Sequence, residues 1–158
     1  MVKRLSIRDV LFVDSVLKEP EVWDRCADDG ISLFPDRWTA YGRLANPDNY
    51  FLCPFKDETA AGLIMFYKWT SFCWEIHIAM LRQFRGKFTV EATKEALRWM
   101  FENTNCLKIT ARIPACNLPP TALARAVGMK QEGRSKDAWQ KGGVLYDVLY
   151  FGTERRGI

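Results

Sequence analysis

The chain has 158 residues, 48% hydrophobic, 27% charged and 13% aromatic, with 23 Lys and Arg against 19 Asp and Glu for a net charge of +4. That length holds a single domain spanning 1–158 and is too short for two of ordinary size, and the apolar content excludes disorder. The mild basic excess is far below that of a chain built to grip a nucleic-acid backbone, but it suits a pocket for one anionic small molecule. The longest apolar run, Ala60 to Tyr67, falls well short of the ~20 residues of a membrane span. The first nine residues carry charge on both sides of a short apolar stretch, unlike a secretion signal, so a cytoplasmic location and no membrane partner are expected.

In chain order, Lys3 to Ile7 alternates as a short strand, and a helix follows from Asp9, its predicted N-cap, with Val10, Val13, Val16 and Leu17 on one face. Pro20 ends it and suits the first turn of a second helix through Trp23 and Cys26, stopped by Gly30. Ile31 to Asn49, with Pro35, Gly42 and Pro47, reads as loop with at most one helical turn. Three strands come next, Tyr50 to Phe55, Ala61 to Thr70 and Phe72 to Leu81, forming an antiparallel meander. In the third, Trp74, Ile76 and Ile78 share one face while Glu75 and His77 share the other.

The clearest helix follows Arg85-Gly86-Lys87, with Thr93, Ala96, Leu97, Met100 and Phe101 in one apolar stripe. Leu107 to Ile113 alternates as a strand ended by Pro114, and Pro119 to Val127 is a short helix closed by Gly128. Met129 to Glu132, a Gly- and Lys-rich turn and a strand Val144 to Phe151 complete the chain. The expected fold is α+β, a mixed, mostly antiparallel central sheet flanked by about four helices.

The five cysteines, at 26, 53, 73, 106 and 116, contain no Cys-x-x-Cys pair, and His77 is the single histidine. No metal site is expected from that set, and the cysteines read as buried thiols of a reducing compartment. A nucleophile–histidine system would have to be built on His77.

One junction carries chemistry: a strand ending at Leu81, the basic loop Arg82 to Lys87, then the strong helix. The first N–H groups of a helix lack internal partners and carry partial positive charge, so such a junction is a phosphate site when it is more than a solvated connection.

The residues Ile7-Arg8, Glu19 to Trp23, Trp74 to Ile78, Arg85-Gly86-Lys87 and Asn117 with Gly128-Met129 eleven residues later recur here in a family order. Together they resemble the GNAT (Gcn5-related N-acetyltransferase) superfamily, nearest its RimJ/RimL-like branch. The resemblance implies acetyl transfer from acetyl-CoA to a primary amine of a small molecule or protein. It implies that the CoA pyrophosphate lies on backbone N–H groups from Arg85, Gly86, Lys87, Phe88, Thr89 and Val90, with Arg85 and Lys87 adding charge. The pantetheine arm would bond to the strand end through Ala79, Met80 and Leu81, and Asn117 would contact it from the other side unless it merely caps the next helix. Glu75 is the expected base, with His77 on the same face as the alternative.

The sequence departs from the family pattern in three places. Phe88 and Val90 replace two small residues of the loop, where side chains crowd the phosphates; Ala124 stands where relatives carry a proton-donating tyrosine; and the proline before the loop is absent. The acceptor pocket is expected from Trp23, Phe34, Trp38, Tyr41 and Trp139. The basic residues Lys130, Arg134, Lys136 and Lys141 form either a solvated turn or an attractor of acidic groups. A homodimer is left open and a nucleic-acid partner is disfavoured. The rival reading is a catalytically silent phage GNAT-like virion or head-assembly protein with phage structural proteins as partners, since a scaffold tolerates the altered loop.

Overall fold

The computed structural model describes residues 1–22, 29 and 37–157. Its strands are β1 (Val2–Arg4), β2 (Tyr50–Lys56), β3 (Thr59–Ala60), β4 (Gly62–Lys68), β5 (Cys73–Met80), β6 (Lys108–Pro114), β7 (Lys130–Lys141) and β8 (Val144–Glu154). The helices are α1 (Val10–Leu17), α2 (Arg37–Ala45), α3 (Lys87–Asn103) and α4 (Leu118–Ala126), and residues 20–22 are also helical. The sheet runs β1-β2-β4-β5-β6-β8-β7, with β3 paired to β2. Among the described residues every strand pairing is antiparallel except β5 with β6. This is the mixed, mostly antiparallel α+β sheet that the sequence predicts.

Both faces of the sheet are covered, because the alternation along each central strand is apolar on both sides. On one face Trp74, Ile76, Ile109 and Phe151 pack against the stripe Ala92, Ala96, Leu97 and Met100 of α3 and against Ala124 of α4. On the other, Phe51, Leu63, Met65 and Ala79 pack against Val13, Val16 and Leu17 of α1 and Ala40 of α2. Trp74 is fully buried and its indole N–H donates to the carbonyl of Asp48 at 2.9 Å, which keeps its polar atom satisfied.

One break in the sheet matters most. The β4–β5 ladder runs its full length from Lys68↔Trp74 to Gly62↔Met80, and β6–β8 runs from Lys108↔Glu154 to Pro114↔Val148. Between them β5 and β6 pair at Cys73↔Lys108, Trp74↔Ile109 and Glu75↔Thr110, and then diverge while both strands continue. Gly62 (φ +146) keeps β4 on β5 to the very end: a Cβ there would overlap the carbonyl oxygen of Ala79. The far half of β5 is thus held by β4 alone, and its other edge opens.

Several boundaries differ from the sequence expectations. The first strand is Val2–Arg4, and Asp9 does not cap α1 through its side chain. Ser6 caps the short 3-10 turn Ile7–Asp9 instead, and the Asp9 carboxylate bonds back to the Ser6 N–H in a capping box. The expected loop from Ile31 contains α2, a nine-residue helix that tolerates Gly42 because that position faces open space and the helix is anchored by buried Ala40. The expected Gly- and Lys-rich turn before Val144 is mostly strand β7, twice irregular against β8. Its side chains are largely exposed, so no apolar alternation betrays it. Cys53, Cys73 and Cys106 are buried, whereas Cys116, expected with them, is exposed. The second helix predicted through Trp23 and Cys26 lies, beyond residue 22, outside the described residues. Among the described residues no helix is long and apolar enough to cross a membrane.

Candidate active site

The divergence of β5 and β6 opens a cleft of about 730 Å³, within the range of small-molecule sites. Its walls are β5 from Glu75 to Met80, β6 from Ala111 to Pro114, the start of α3 and the α4 segment. The apex is where the ladder stops, at Glu75 and Thr110; the mouth is at Arg85 and Gly86. Five β5 residues, Ile76 to Met80, separate the two, roughly 15 Å at the strand rise per residue.

At the apex, alternation along β5 sends Glu75 and His77 to the same face. The Glu75 side chain is 13% exposed. Arg112 of β6 reaches across the divergence and clamps it: Nε donates to both carboxylate oxygens at 3.0 Å and Nη2 lies 2.8 Å from Oε2. His77 Nε2 lies 3.1 Å from Oε1. Burial pushes the Glu75 carboxyl up, but hydrogen bonds from His77 and Arg112, with their charge, outweigh burial and hold it below the ordinary carboxylate value. An ionised carboxylate only accepts, so the His77 nitrogen facing it carries the proton and Nδ1 is the basic atom of the neutral ring. Tyr67 meets the His77 ring edge-on at 5.1 Å and steadies it.

At the mouth, Gly86 is the N-cap of α3 with φ +99 and no side-chain cap, a conformation glycine adopts without strain. The first N–H groups of the helix therefore have no partner inside it. Arg85 leans back over the strand end, its Nε donating to the Met80 carbonyl at 3.1 Å. Thr89 is buried and donates its hydroxyl to the Phe84 carbonyl at 3.0 Å, tying the loop to the helix.

The structure brings Glu75, His77, Met80, Arg85, Gly86, Thr89, Val90 and Asn117 to this one cleft. Leu81, Lys87 and Phe88 are not among its lining residues. Leu81 donates its N–H to the Ala61 carbonyl at 3.0 Å and faces a separate hollow. Phe88 tilts against Phe84 and packs on the main core, so its side chain stays out of the cleft rather than crowding it as expected; Val90 does line it. Asn117 stands at the N-cap of α4 without capping it through its side chain. Ala124 is buried in the wall and presents only a methyl group.

Of the expected acceptor aromatics, Trp139 lines the cleft and Tyr41 is 43% exposed elsewhere. Trp23, Phe34 and the side chain of Trp38 lie outside the described residues. The basic stretch is not a turn: Lys130, Arg134, Lys136 and Lys141 lie on β7, and Arg134 pairs with Asp147 of β8.

Sequence reasoning missed two residues. Arg112 shows no local signal, because its partner is 37 positions away on a strand whose pairing must be known first. Tyr150, in register with Arg112, also lines the cleft and accepts a hydrogen bond from Ser135 at 3.1 Å; it was hidden inside an aromatic strand.

Residues 4–130 match the family model described as an acetyltransferase (GNAT) domain. Among solved structures, the chain is similar to the spermidine N-acetyltransferase of Vibrio cholerae in complex with CoA and spermine, with TM-score 0.82 and 14% identity over 99% of this chain and 96% of that one. It is similar to a ribosomal-protein-S5-alanine acetyltransferase from Vibrio fischeri (TM-score 0.78, 15% identity, 98% and 92% covered). It is also similar to a GNAT-family acetyltransferase from Bacillus anthracis (TM-score 0.75, 17% identity, 98% and 94% covered). At such identities the likeness is one of fold. No curated protein matches the chain in sequence.

Proposed function

We propose, from the premise that this chain belongs to the GNAT acetyltransferase family, that it transfers the acetyl group of acetyl-CoA to a primary amine of a small molecule or protein. The observation that carries the reading is the interrupted β5–β6 ladder, which leaves a strand edge open between a glycine-capped helix start and a carboxylate–histidine pair whose carboxylate is mostly shielded. The residues fit the cofactor. Helix-start N–H groups and the Arg85 guanidinium suit phosphates. The open edge of β5 from Ile76 to Met80 offers an amide-containing arm the backbone bonds that a neighbouring strand would otherwise supply. Asn117 faces that edge from the opposite wall and can bond to the same arm.

Bound acetyl-CoA supplies the thioester from which an amine nitrogen takes the acetyl group. The residues at the apex manage the proton. Both Glu75 oxygens are engaged by Arg112 and one also by His77, and a carboxylate so held is a weak base. His77 therefore accepts the amine proton at Nδ1, directly or through one water, and Glu75 fixes its tautomer and stabilises the charge it gains. Arg112 holds Glu75 against the strand divergence. This reverses the order of preference that the sequence alone supports, in which Glu75 is the base and His77 the alternative.

The test is acetyl transfer from acetyl-CoA to a panel of amines, read as thiol release and as acetylated product. Turnover is expected for one amine class, and His77→Ala is expected to lower it about 10²-fold or more, with partial rescue by added imidazole. Full activity in His77→Ala with loss in Glu75→Gln would return the base role to Glu75.

A further inference from the structure

The cations at the mouth of the cleft are already engaged. Glu21, 61 and 64 residues away from its partners in sequence, places Oε1 3.1 Å from Arg82 Nη1 and Oε2 3.2 Å from Arg85 Nη1. One carboxylate thus bridges the two guanidinium groups of the loop that leads into α3. The bridge has a geometric cause. Residues 20–22 are helical, the Val22 N–H returns to the Glu19 carbonyl at 2.9 Å, and Val22 is buried, so Glu21 is pinned by its neighbour and turned toward the basic loop. On the other side, the Arg85 side chain is fixed by its second bond, to the Met80 carbonyl.

The bridge lies where two hollows meet. Glu21 and Arg85 both line the main cleft, and both also line a smaller space of about 340 Å³ between residues 19–22 and 81–85. A ligand phosphate arriving at the helix start approaches the same guanidinium nitrogens that the carboxylate occupies. Carboxylate and phosphate both present acceptor oxygens to a guanidinium fork, and two anions cannot share it without repulsion.

We infer that Glu21 is an internal competitor for the phosphate cations and so determines cofactor affinity: the phosphates of CoA displace it from Arg82 and Arg85 on binding, and it returns to them as CoA leaves. The inference rests on the proposed use of the cleft for acetyl-CoA. Its chemical logic is an exchange of one anion for another, so every phosphate-bearing ligand must first break the bridge. A ligand that lacks phosphates and uses only the β5 edge leaves the bridge intact. Glu21 thereby weakens the hold on the spent cofactor as well as on the incoming one, which favours turnover where release is slow. Glu21 is half-exposed and its two contacts are individually weak, as a group that must be exchanged in each cycle requires.

The experiment compares wild type with Glu21→Gln, an isosteric change at a half-exposed position, by calorimetric titration of CoA and of pantetheine, which lacks the phosphates. The expected result is about five-fold tighter CoA binding by the variant, a gain of the size two exposed ion pairs command, with unchanged pantetheine binding. The CoA dissociation rate is expected to fall by a similar factor. Equal CoA affinity in the two proteins overturns the inference while leaving the function intact. An equal gain for pantetheine also overturns it, because Glu21 would then act on the arm and not on the cations. Failure of both proteins to bind CoA at millimolar concentration overturns the proposed function and the inference with it.

Discussion

The two ends of the cleft are built on different principles. At the apex, a buried carboxylate is held by side chains from two strands that have just parted, Arg112 from β6 and His77 from β5. At the mouth, the groups that matter are backbone N–H donors set by one glycine and two arginines on the surface, held by a carboxylate from a distant segment. The apex stores its function in side-chain hydrogen bonds that converge on one mostly shielded carboxylate, so each group depends on the others. The mouth stores it in main-chain geometry, which no single side-chain change removes. Chemistry and cofactor binding should therefore separate under mutation.

The largest expected effect tests the apex. Glu75→Gln keeps the shape but removes the charge that stabilises a protonated His77, and should lower turnover about 10²-fold or more with CoA affinity unchanged. A matching loss of CoA affinity would show that the two ends are not separate. Arg112→Leu comes next. It leaves the Glu75 carboxylate with the His77 bond but without its guanidinium partner, and thermal unfolding should show a loss of about 1–3 kcal/mol.

The pH dependence sharpens the same point. Because the folded-state pKa of Glu75 lies below its ordinary value, its stabilising effect is fully present above that ordinary value. It is lost as pH falls through the depressed one. Wild type should accordingly lose stability relative to Glu75→Gln as pH is lowered through this acid window, and the two curves should run parallel at neutral pH. In Arg112→Leu the onset should move to higher pH, toward the ordinary carboxylate range.

At the mouth the effects are smaller. Arg85→Ala should weaken CoA binding roughly ten-fold and flatten its salt dependence, the remaining affinity coming from backbone donors that the change does not touch. Turnover at saturating cofactor should stay near wild type. Gly86→Ala is the mildest, costing about 1 kcal/mol of stability for a residue held at φ +99, since open space around the position spares any steric clash.

The same contrast explains what was legible beforehand. The mouth is local: a strand end, a basic loop with glycine and the apolar stripe of α3 follow one another directly in the chain, and their spacing alone places them. The pairing of Glu75 with His77 on one face follows from alternation along one strand. Arg112 and Glu21 are not local: Arg112 meets Glu75 only through the β5–β6 strand order, and Glu21 meets Arg82 and Arg85 only through the packing of residues 20–22 beside their loop, neither of which periodicity reveals. Helix α2 was hidden by Gly42 and its flanking prolines, and β7 by its exposed edge position, where polar side chains carry no alternation. Leu81 shows the limit of counting along a strand, for the ladder to β4 ends at Met80 and the next N–H turns to Ala61.

Hydrogen exchange read residue by residue, with and without CoA, tests the central claim most directly. Protection by CoA is expected at the open edge of β5 from Ile76 to Met80 and at the start of α3 from Gly86 to Val90, with little change along the fully paired β4. Protection absent from the β5 edge, or found only at the exposed arginines, would contradict a cofactor seated between the parted strands.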